Sequence, residues 1–231
     1  MPVIRTQFFK KDTAKYISHL DLIRTMQRSV RRADIPVEYS KGFNPHSKIA
    51  YGPALAVGLS SDGEFLDMEL KERMEETEFI KRLNASLPAG LGVTAAEYIP
   101  DGAPSLSVII NAAEYRITGR TETTEQNVGQ RIRKFFALDD VLIERTDKRG
   151  REKKLNIMPM IVEVEKIEVA DGQVVIEVII DTGSKSNLKP TDLTGALERH
   201  TGLLLEETGI HRKRLLVRRG GGYLPPLRVY D

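Results

Sequence analysis

The amino-acid sequence contains no cysteine among its 231 residues. This absence excludes disulfide bonds, a thiolate nucleophile, and zinc or iron–sulfur sites that depend on cysteine ligands. The chain also has only four histidines, and their positions lack the spacing of a metal-binding motif. They are His19, His46, His200 and His211. The sequence therefore predicts neither a metal site nor a bound cofactor.

Long apolar segments are missing as well. No stretch approaches the roughly 18 consecutive apolar residues of a transmembrane helix, and the first residues lack the apolar core of a secretory signal. We therefore expect a cytoplasmic location without membrane contact. Walker A and GxGxxG loops are also absent. Three consecutive glycines at residues 220–222 precede no helical pattern, which favours a flexible tail over residues 220–231.

The charge balance is close to neutral. The chain has 35 Lys and Arg residues against 33 Asp and Glu residues, which gives a formal net charge of +2. Its hydrophobic content of 40% and charged content of 29% are typical of a soluble globular protein. Because the net charge is so small, any surface that binds an anionic ligand must arise from local clustering of cations.

The clearest local cluster lies on a predicted helix over residues 18–34. Ser18 is a favourable N-cap, and the Pro36 ring disfavours helical geometry in the residue before it. With successive residues placed about 100° apart, apolar side chains fall on one arc and arginines on the opposite arc. The arginines are Arg24, Arg28, Arg31 and Arg32. This arc is either a solvated face or a surface that binds phosphate or carboxylate through planar guanidinium groups.

A loop over residues 40–48 follows this helix. Its Lys-Gly and Asn-Pro steps are turn signals. It combines cations, an imidazole and an aromatic ring, in Lys41, Phe43, Asn44, His46 and Lys48. Cations interleaved with aromatics suit single-stranded nucleic acid, through phosphate neutralisation and base stacking. The alternative is an ordinary connection whose aromatics anchor it to the core.

The order of predicted elements is strand, helix, strand, strand, helix, strand, and it occurs twice. This pattern predicts an α+β fold of two tandem ferredoxin-like (βαββαβ) modules with antiparallel sheets. The first module spans residues 1–101 and the second spans residues 110–219. A Pro/Gly-rich segment near residues 100–104 separates the two halves.

Two further basic segments lie in the second half. Residues 145–154 form a predicted basic hairpin or loop, and residues 211–219 form a basic run within the last strand. Either could contact phosphate, and the alternative for residues 145–154 is a solvated turn. The candidate contacts are Arg149, Arg151, Lys153, Arg212 and Arg214.

Two histidines and an acidic segment are further candidates for catalytic or metal-binding residues. His19 lies at the first turn of the helix, where it is either a packed histidine or, with His46, a weak candidate for a general base. Alternating acidic residues over residues 62–69 are interpreted as a charged, solvent-exposed strand face rather than as a site for a hard metal ion.

One long motif resembles a known family. It comprises Tyr16-x-Ser18-His19-Leu20-Asp21-Leu22, Arg24, Arg28, Pro36, Ser40-x-Gly42-Phe43-Asn44-Pro45-His46, and Tyr51-Gly52-Pro53-Ala54-Leu55. These residues are similar to the signature of the radical-SAM-linked proteins, a bacterial family of uncharacterised domains found alone or fused C-terminal to radical SAM proteins. Since this chain lacks the CxxxCxxC motif that binds the radical SAM cluster, the resemblance implies an accessory role beside a separate radical SAM enzyme.

Three functions remain open at this point. The favoured one is an accessory RNA-recognition module, acting with a radical SAM enzyme in RNA modification or processing and not catalytic on its own. The second is a ferredoxin-like RNA-acting enzyme, either a metal-independent ribonuclease or a pseudouridine-synthase-like protein. The third is a protein-interaction domain without a nucleic-acid ligand.

Overall fold

A computed structural model of the chain describes residues 1–121, 125–146, 150–203 and 205–230. The fold is mixed α+β with antiparallel strand pairing. The chain divides into two units, with unit 1 formed by Met1–Asn111 and Arg212–Asp231 and unit 2 by Ala112–His211. The sequence instead suggested a second module running to residue 219. No helix in the described part of the chain has the length and apolar character needed to cross a membrane.

Unit 1 is built on an antiparallel sheet. Its strands are β1 (Val3–Lys10), β2 (Ile49–Tyr51), β3 (Ser60–Glu69) and β4 (Leu91–Ile99). The strand order is β4-β1-β3, and β2 pairs with β3. In the β1–β3 register Arg5 lies opposite Asp67. The helices are α1 (His19–Arg32), α2 (Glu76–Ser86) and the short α3 (Leu106–Ile109).

Helix α1 confirms the two predicted faces. The Ser18 hydroxyl accepts a hydrogen bond from the Asp21 backbone N–H, as an N-cap does. Leu22, Met26 and Val30 are buried in the core of unit 1, because they recur at helical spacing along one side. The core also contains Ile4, Phe8, Leu66, Met68, Phe79 and Leu83.

Unit 2 also combines strands with helices, and the first part of a later strand belongs to it as well. The strands are β5 (Ala112–Arg120), β6 (Leu142–Thr146), β7 (Glu152–Asn156), β8 (Ile161–Ala170) and β9 (Gln173–Asp181), and the helices are α4 (Glu125–Phe136) and α5 (Pro190–Thr201). Antiparallel pairing links β5 to β9 and β9 to β8. The Asp171-Gly172 step between two strand patterns predicts a hairpin turn, and β8 and β9 are joined by such a turn, with positive φ at both residues.

A 3-10 turn separates two strands of unit 2 where the sequence pattern over residues 154–169 predicts a single strand. This turn spans Met158–Met160 and lies between β7 and β8. Pro159 accounts for the break, because proline has no N–H for the ladder of a strand interior. The basic segment agrees with the predicted hairpin or loop, since Arg145 and Thr146 of β6 pair with residues 153 and 152 of β7.

The last segment of the chain also differs from expectation. Strand β10 (Glu206–Arg219) crosses the division at residue 212, and its part in unit 1 is followed by β11 (Gly222–Leu224), which pairs back onto it. Gly220 and Gly221 have positive φ and form the turn between these strands. A 3-10 segment over Pro226–Tyr230 follows, and its Pro226 is buried. Residues 220–230 are therefore paired and packed, which contradicts the prediction of a flexible tail.

Close backbone packing brings β10 against unit 1. A Cβ atom added at Gly63 on β3 would lie 2.8 Å from the Arg214 Cα atom. Such a contact is too short for any side chain, so β3 requires glycine at this position. Residues 212–219 complete unit 1 for this reason, although they are far away in sequence.

Candidate nucleic-acid interface

The arginine face of α1, formed by Arg24, Arg28, Arg31 and Arg32, is exposed along its length. Arg24 makes an ion pair with Asp21 at 3.2 Å. The Arg32 guanidinium donates to the Ser29 hydroxyl at 3.2 Å and to the Ser86 carbonyl at 2.6 Å. Within the described ranges, Arg28 and Arg31 make no hydrogen bond to protein. These two side chains therefore have the most hydrogen-bonding capacity left for a ligand.

Asp21 reduces the positive charge at the start of the arginine face. The Ser18 hydroxyl donates to its carboxylate at 2.7 Å, and this bond, with help from Arg24, lowers the pKa of Asp21 below its ordinary value. The carboxylate thus stays ionised beside Arg24 and offsets its charge. The net positive part of the face is therefore its C-terminal part, around Arg28 and Arg31.

The loop over residues 40–48 is a closed turn with an exposed tip. The Ser40 backbone N–H donates to the His46 carbonyl at 2.9 Å, and Tyr39 bridges to Ser47. Beyond this closure, Lys41, Phe43 and Asn44 are exposed. Phe43 has a relative exposure of 110% and therefore does not anchor the loop. Tyr39 and Tyr51, by contrast, pack against the core.

The two candidate histidines have different surroundings. The His46 ring Nδ1 lies 3.1 Å from the Ser40 hydroxyl and 3.3 Å from the Asn44 carbonyl, so the exposed imidazole is oriented by its own loop. The His19 ring meets the Tyr51 ring edge-on at 5.7 Å. In the described part of the chain, neither imidazole is hydrogen-bonded to a carboxylate that would orient it as a base. Their catalytic role stays a prediction.

Lys48 is partly engaged at the base of the loop. Its ammonium group donates to Glu69 at 2.7 Å, and both side chains are 38% exposed. This hydrogen bond raises the pKa of Lys48 above its ordinary value. Because the charges offset one another, Lys48 contributes less to phosphate attraction than Lys41 does.

Arg212 lies in a different environment from the other candidates. Its side chain is 3% exposed and its guanidinium donates to both Glu64 carboxylate oxygens at 3.0 Å. It also donates to the Pro53 carbonyl at 3.0 Å and to the Ala54 carbonyl at 3.2 Å. This burial removes Arg212 from the proposed ligand contacts. Arg214, two residues further along β10, is exposed.

Lys10 completes what we call the buried ionic cluster of Lys10, Glu64 and Arg212. Lys10 is 1% exposed and donates to the Ile17 carbonyl at 3.0 Å. Burial lowers its pKa, while the neighbouring Glu64 acts in the opposite direction. Ile17 immediately precedes the α1 N-cap, and Pro53 and Ala54 follow the loop and β2. The cluster therefore holds the backbone at both ends of residues 17–54.

A second buried pair lies nearby in sequence. The Arg5 guanidinium donates to both oxygens of Asp67, at 2.7 and 2.8 Å, and its side chain is fully buried. Asp67 and Glu64 thus do not belong to a solvent-exposed strand face, which corrects that interpretation. The neighbouring sequence does not indicate that these two carboxylates are buried and paired, because their partners are 62 and 148 residues away.

The remaining candidates lie in unit 2. Arg151 and Lys153 are exposed on the β6–β7 hairpin, and Arg149 lies outside the described residues. Arg145, across from Lys153 in the register, is held by an ion pair with Asp192 at 2.7 Å.

In the same unit, carboxylate oxygens of Glu114, Glu165 and Glu177 lie within 4.8 Å of one another, as in a cation site. Arg116 already neutralises Glu177 through an ion pair at 2.7 Å.

Solved structures resemble this fold at very low sequence identity. A chain in the crystal structure of a Cbf5-Nop10-Gar1 complex matches 93% of this chain with a TM-score of 0.50 and 11% identity. A chain in the archaeal box H/ACA sRNP Nop10-Cbf5 complex matches 93% of this chain with a TM-score of 0.43 and 12% identity. A chain in an H/ACA RNP bound to a substrate RNA containing 2'-deoxyuridine matches 95% of this chain with a TM-score of 0.41 and 14% identity. This chain covers 48%, 46% and 47% of those chains, so it spans about half of their length.

Sequence comparison identifies the family. No curated protein matches the chain at a significant level. Residues 4–190 match DUF2344, a family described as an uncharacterized protein conserved in bacteria. The description names no partner, so a link to radical SAM proteins stays a prediction. The match covers most of the 231 residues, and the chain therefore belongs to the DUF2344 family.

Proposed function

We propose that this protein is an accessory RNA-recognition module that acts in the cytoplasm with a separate radical SAM enzyme, in RNA modification or processing. In unit 1, the arginine face of α1 would neutralise phosphates and Phe43 would stack on an unpaired base. The observation that carries the proposal is the fully exposed Phe43 next to Lys41, on a loop closed at its base. A soluble protein gains nothing in stability from such a ring, whereas a base–aromatic stack contributes about 1–3 kcal/mol to binding.

The charge distribution supports single-stranded RNA as the ligand. Arg28 and Arg31 have unused donors within the described residues, and a guanidinium can bind a phosphate through two parallel hydrogen bonds. Bases of single-stranded RNA are free to stack on aromatic side chains, whereas bases in a duplex are not. An isolated loop aromatic flanked by cations fits that mode of recognition.

The strand orders support the proposed tandem ferredoxin-like modules. In unit 1 the order is β4-β1-β3 with β2 on β3, and the helices α1 and α2 follow β1 and β3 in the chain. In unit 2 the order is β10-β5-β9-β8, with the β6–β7 hairpin as an insertion. Both strand orders agree with the order expected of a βαββαβ unit, which supports this part of the proposal.

The similarities to known proteins support the proposed function less strongly than the geometry of the site does. The similar solved structures are described as ribonucleoprotein or Cbf5-Nop10 complexes, but at 11–14% identity the likeness concerns the fold alone. The radical SAM partner rests on the similarity of the motif over residues 16–55 to radical-SAM-linked proteins. Affinity purification of the full chain from its native host should recover a radical SAM enzyme, and repeated recovery of none would remove this part of the proposal.

The RNA-binding part is tested by charge reversal on the arginine face. We expect Arg28→Glu with Arg31→Glu to weaken binding of a fluorescent single-stranded RNA about tenfold or more, since each lost charged hydrogen bond costs roughly 1.5–3 kcal/mol. Because two phosphate contacts are removed, the slope of log K against log salt should fall by about 1.4. Fluorescence anisotropy at several salt concentrations measures both quantities.

A matched control is available in unit 2. Arg133 and Lys134 are exposed in the last turn of α4, just as Arg31 lies in the last turn of α1. Arg133→Glu with Lys134→Glu makes the same change in net charge and should leave RNA affinity nearly unchanged. Equal losses in the two double variants would indicate non-specific attraction and contradict the proposed interface.

A further inference from the structure

A cavity of about 700 Å³ lies in unit 1 beside the loop over residues 40–48. This volume is in the range of small-molecule sites, roughly 300–1,000 Å³. Part of its wall is apolar, with Val3, Ile99 and Pro100. The loop contributes His46, Ser47 and Lys48, and β3 contributes Asp67 and Glu69. Asp101 and Ser105 follow Pro100 in the lining. Apolar surface with a few polar groups suits a flat heteroaromatic ligand.

The polar groups of this wall differ in how much bonding capacity remains. Asp67 accepts two hydrogen bonds from Arg5, so both of its oxygens are used. The Ser47 hydroxyl is covered by protein atoms. Lys48 and Glu69 are each 38% exposed, and their single contact joins the Lys48 ammonium group to one Glu69 oxygen. The second Glu69 oxygen has no hydrogen-bond partner within the described residues, and the Lys48 ammonium group has further N–H donors.

The Lys48–Glu69 pair presents an N–H donor beside two carboxylate oxygen acceptors. Among the RNA bases, the Watson–Crick edge of guanine offers the complementary order, with the O6 acceptor followed by the N1–H and N2–H donors. Uracil offers one donor between two acceptors, and cytosine and adenine each place an amino donor where guanine has O6. A carboxylate can accept both guanine donors at once, and the ammonium group can donate to O6.

We propose that the cavity is a base-reading pocket that takes one guanine of a single-stranded RNA, with Glu69 accepting from N1–H and N2–H and Lys48 donating to O6. This inference rests on the proposed RNA-recognition function and specifies which base is read. Phe43 and the arginine face supply affinity without sequence preference, because every base has a stacking face and every nucleotide a phosphate. The Lys48–Glu69 pair supplies the preference.

Replacement of single atoms in the ligand tests the pocket without changing the protein. We expect a labelled pentanucleotide UUGUU to bind about tenfold more tightly than UUIUU, in which inosine lacks the N2 amino group, since a hydrogen bond to a charged acceptor is lost. UUAUU should bind as weakly as UUIUU or more weakly. In NMR spectra, guanosine monophosphate should shift the Lys48 and Glu69 amide resonances.

A variant pair locates the preference. Glu69→Gln keeps the volume but replaces one acceptor with a donor, and it should abolish the difference between UUGUU and UUIUU. Glu72→Gln, at an exposed glutamate outside the cavity wall, should preserve it. RNA binding without preference for guanosine over inosine would overturn the pocket while the RNA-recognition proposal stands. Absence of RNA binding by the wild-type protein would overturn both.

Discussion

The buried ionic cluster allows a sharp test of how residues 17–54 are held. Glu64→Gln would remove the negative charge that pairs with the Arg212 guanidinium and acts electrostatically on the Lys10 ammonium group. The side chains of Arg212 and Glu64 are 3% and 7% exposed, so water cannot replace the lost partner. The variant would take this carboxylate away from two buried cations, whose other hydrogen-bond acceptors include the neutral carbonyls of Ile17, Pro53 and Ala54.

The expected cost follows from this geometry. Removing one partner of a buried ion pair costs about 3–5 kcal/mol, out of a total of about 5–15 kcal/mol for a typical domain. A midpoint shift of about 2–4 °C per kcal/mol then predicts a decrease of roughly 6–20 °C in Tm. Urea unfolding followed by circular dichroism gives the free energy, and a thermal scan gives the midpoint.

Two comparisons make the result decisive. Glu72→Gln, at an exposed glutamate, should change stability by less than about 0.5 kcal/mol. Glu64→Gln combined with Arg212→Met should recover at least half of the loss, because a buried pair replaced on both sides no longer contains an uncompensated guanidinium. A loss below about 1 kcal/mol for Glu64→Gln, or no recovery in the double variant, would refute the assignment of this cluster as the main support of the segment.

Two further predictions concern Phe43 and Lys10. Phe43→Ala should weaken binding of single-stranded RNA by about 1–3 kcal/mol in a titration while leaving the free energy of unfolding within about 0.5 kcal/mol, because the ring packs against nothing; a destabilised variant would show that the loop needs the ring. Burial lowers the pKa of Lys10 in the folded protein below its ordinary value of 10.5. Between the lowered pKa and 10.5 the unfolded chain binds more protons than the folded protein, so the contribution of Lys10 to the free energy of unfolding should rise with pH. Urea unfolding of the wild type and of Lys10→Met across this interval checks the sign, and a difference that is constant or falls with pH would contradict it.

The parts of the fold that the sequence predicts well are governed by local rules. The α1 helix, its Ser18 cap and its two faces follow from residue spacing and side-chain chemistry within a single segment. The β8–β9 turn follows from an Asp-Gly step between two β-branched runs, and both residues have the positive φ that such a turn requires. In each case the residues that decide the structure are neighbours in the chain.

The features that the sequence does not predict depend on distant partners. Glu64 and Asp67 lie in an acidic segment that is typical of an exposed strand, and ion pairs with the distant Arg212 and Arg5 compensate for their burial. Arg212 likewise has the character of a surface cation in a basic run. For the same reason, the predicted site residues include one that is buried and omit Glu69, whose proposed role rests on its position beside Lys48 and the cavity.

The prediction of a flexible tail from residue 220 onward was wrong because it rested on composition. Three glycines indicate freedom in an unfolded chain, but two of them adopt the left-handed conformations of a tight turn between β10 and β11. The family resemblance, in contrast, depended on a motif long enough to be specific, and membership in a bacterial family of uncharacterised proteins is confirmed. The proposed radical SAM association concerns a partner protein, which a single chain does not encode in its fold.

The two-segment construction of unit 1 has a consequence for synthesis. Ribosomes release the N-terminal part of a protein first, and domains commonly fold as they emerge. Here, the first 111 residues emerge with Glu64 lacking its Arg212 partner, and a further 100 residues of unit 2 must follow before Arg212 arrives. Completion of the N-terminal unit is therefore delayed until translation is almost finished. The segment proposed to contact RNA is held at its Pro53–Ala54 end by that arginine, so it would take its final form only in a nearly full-length chain.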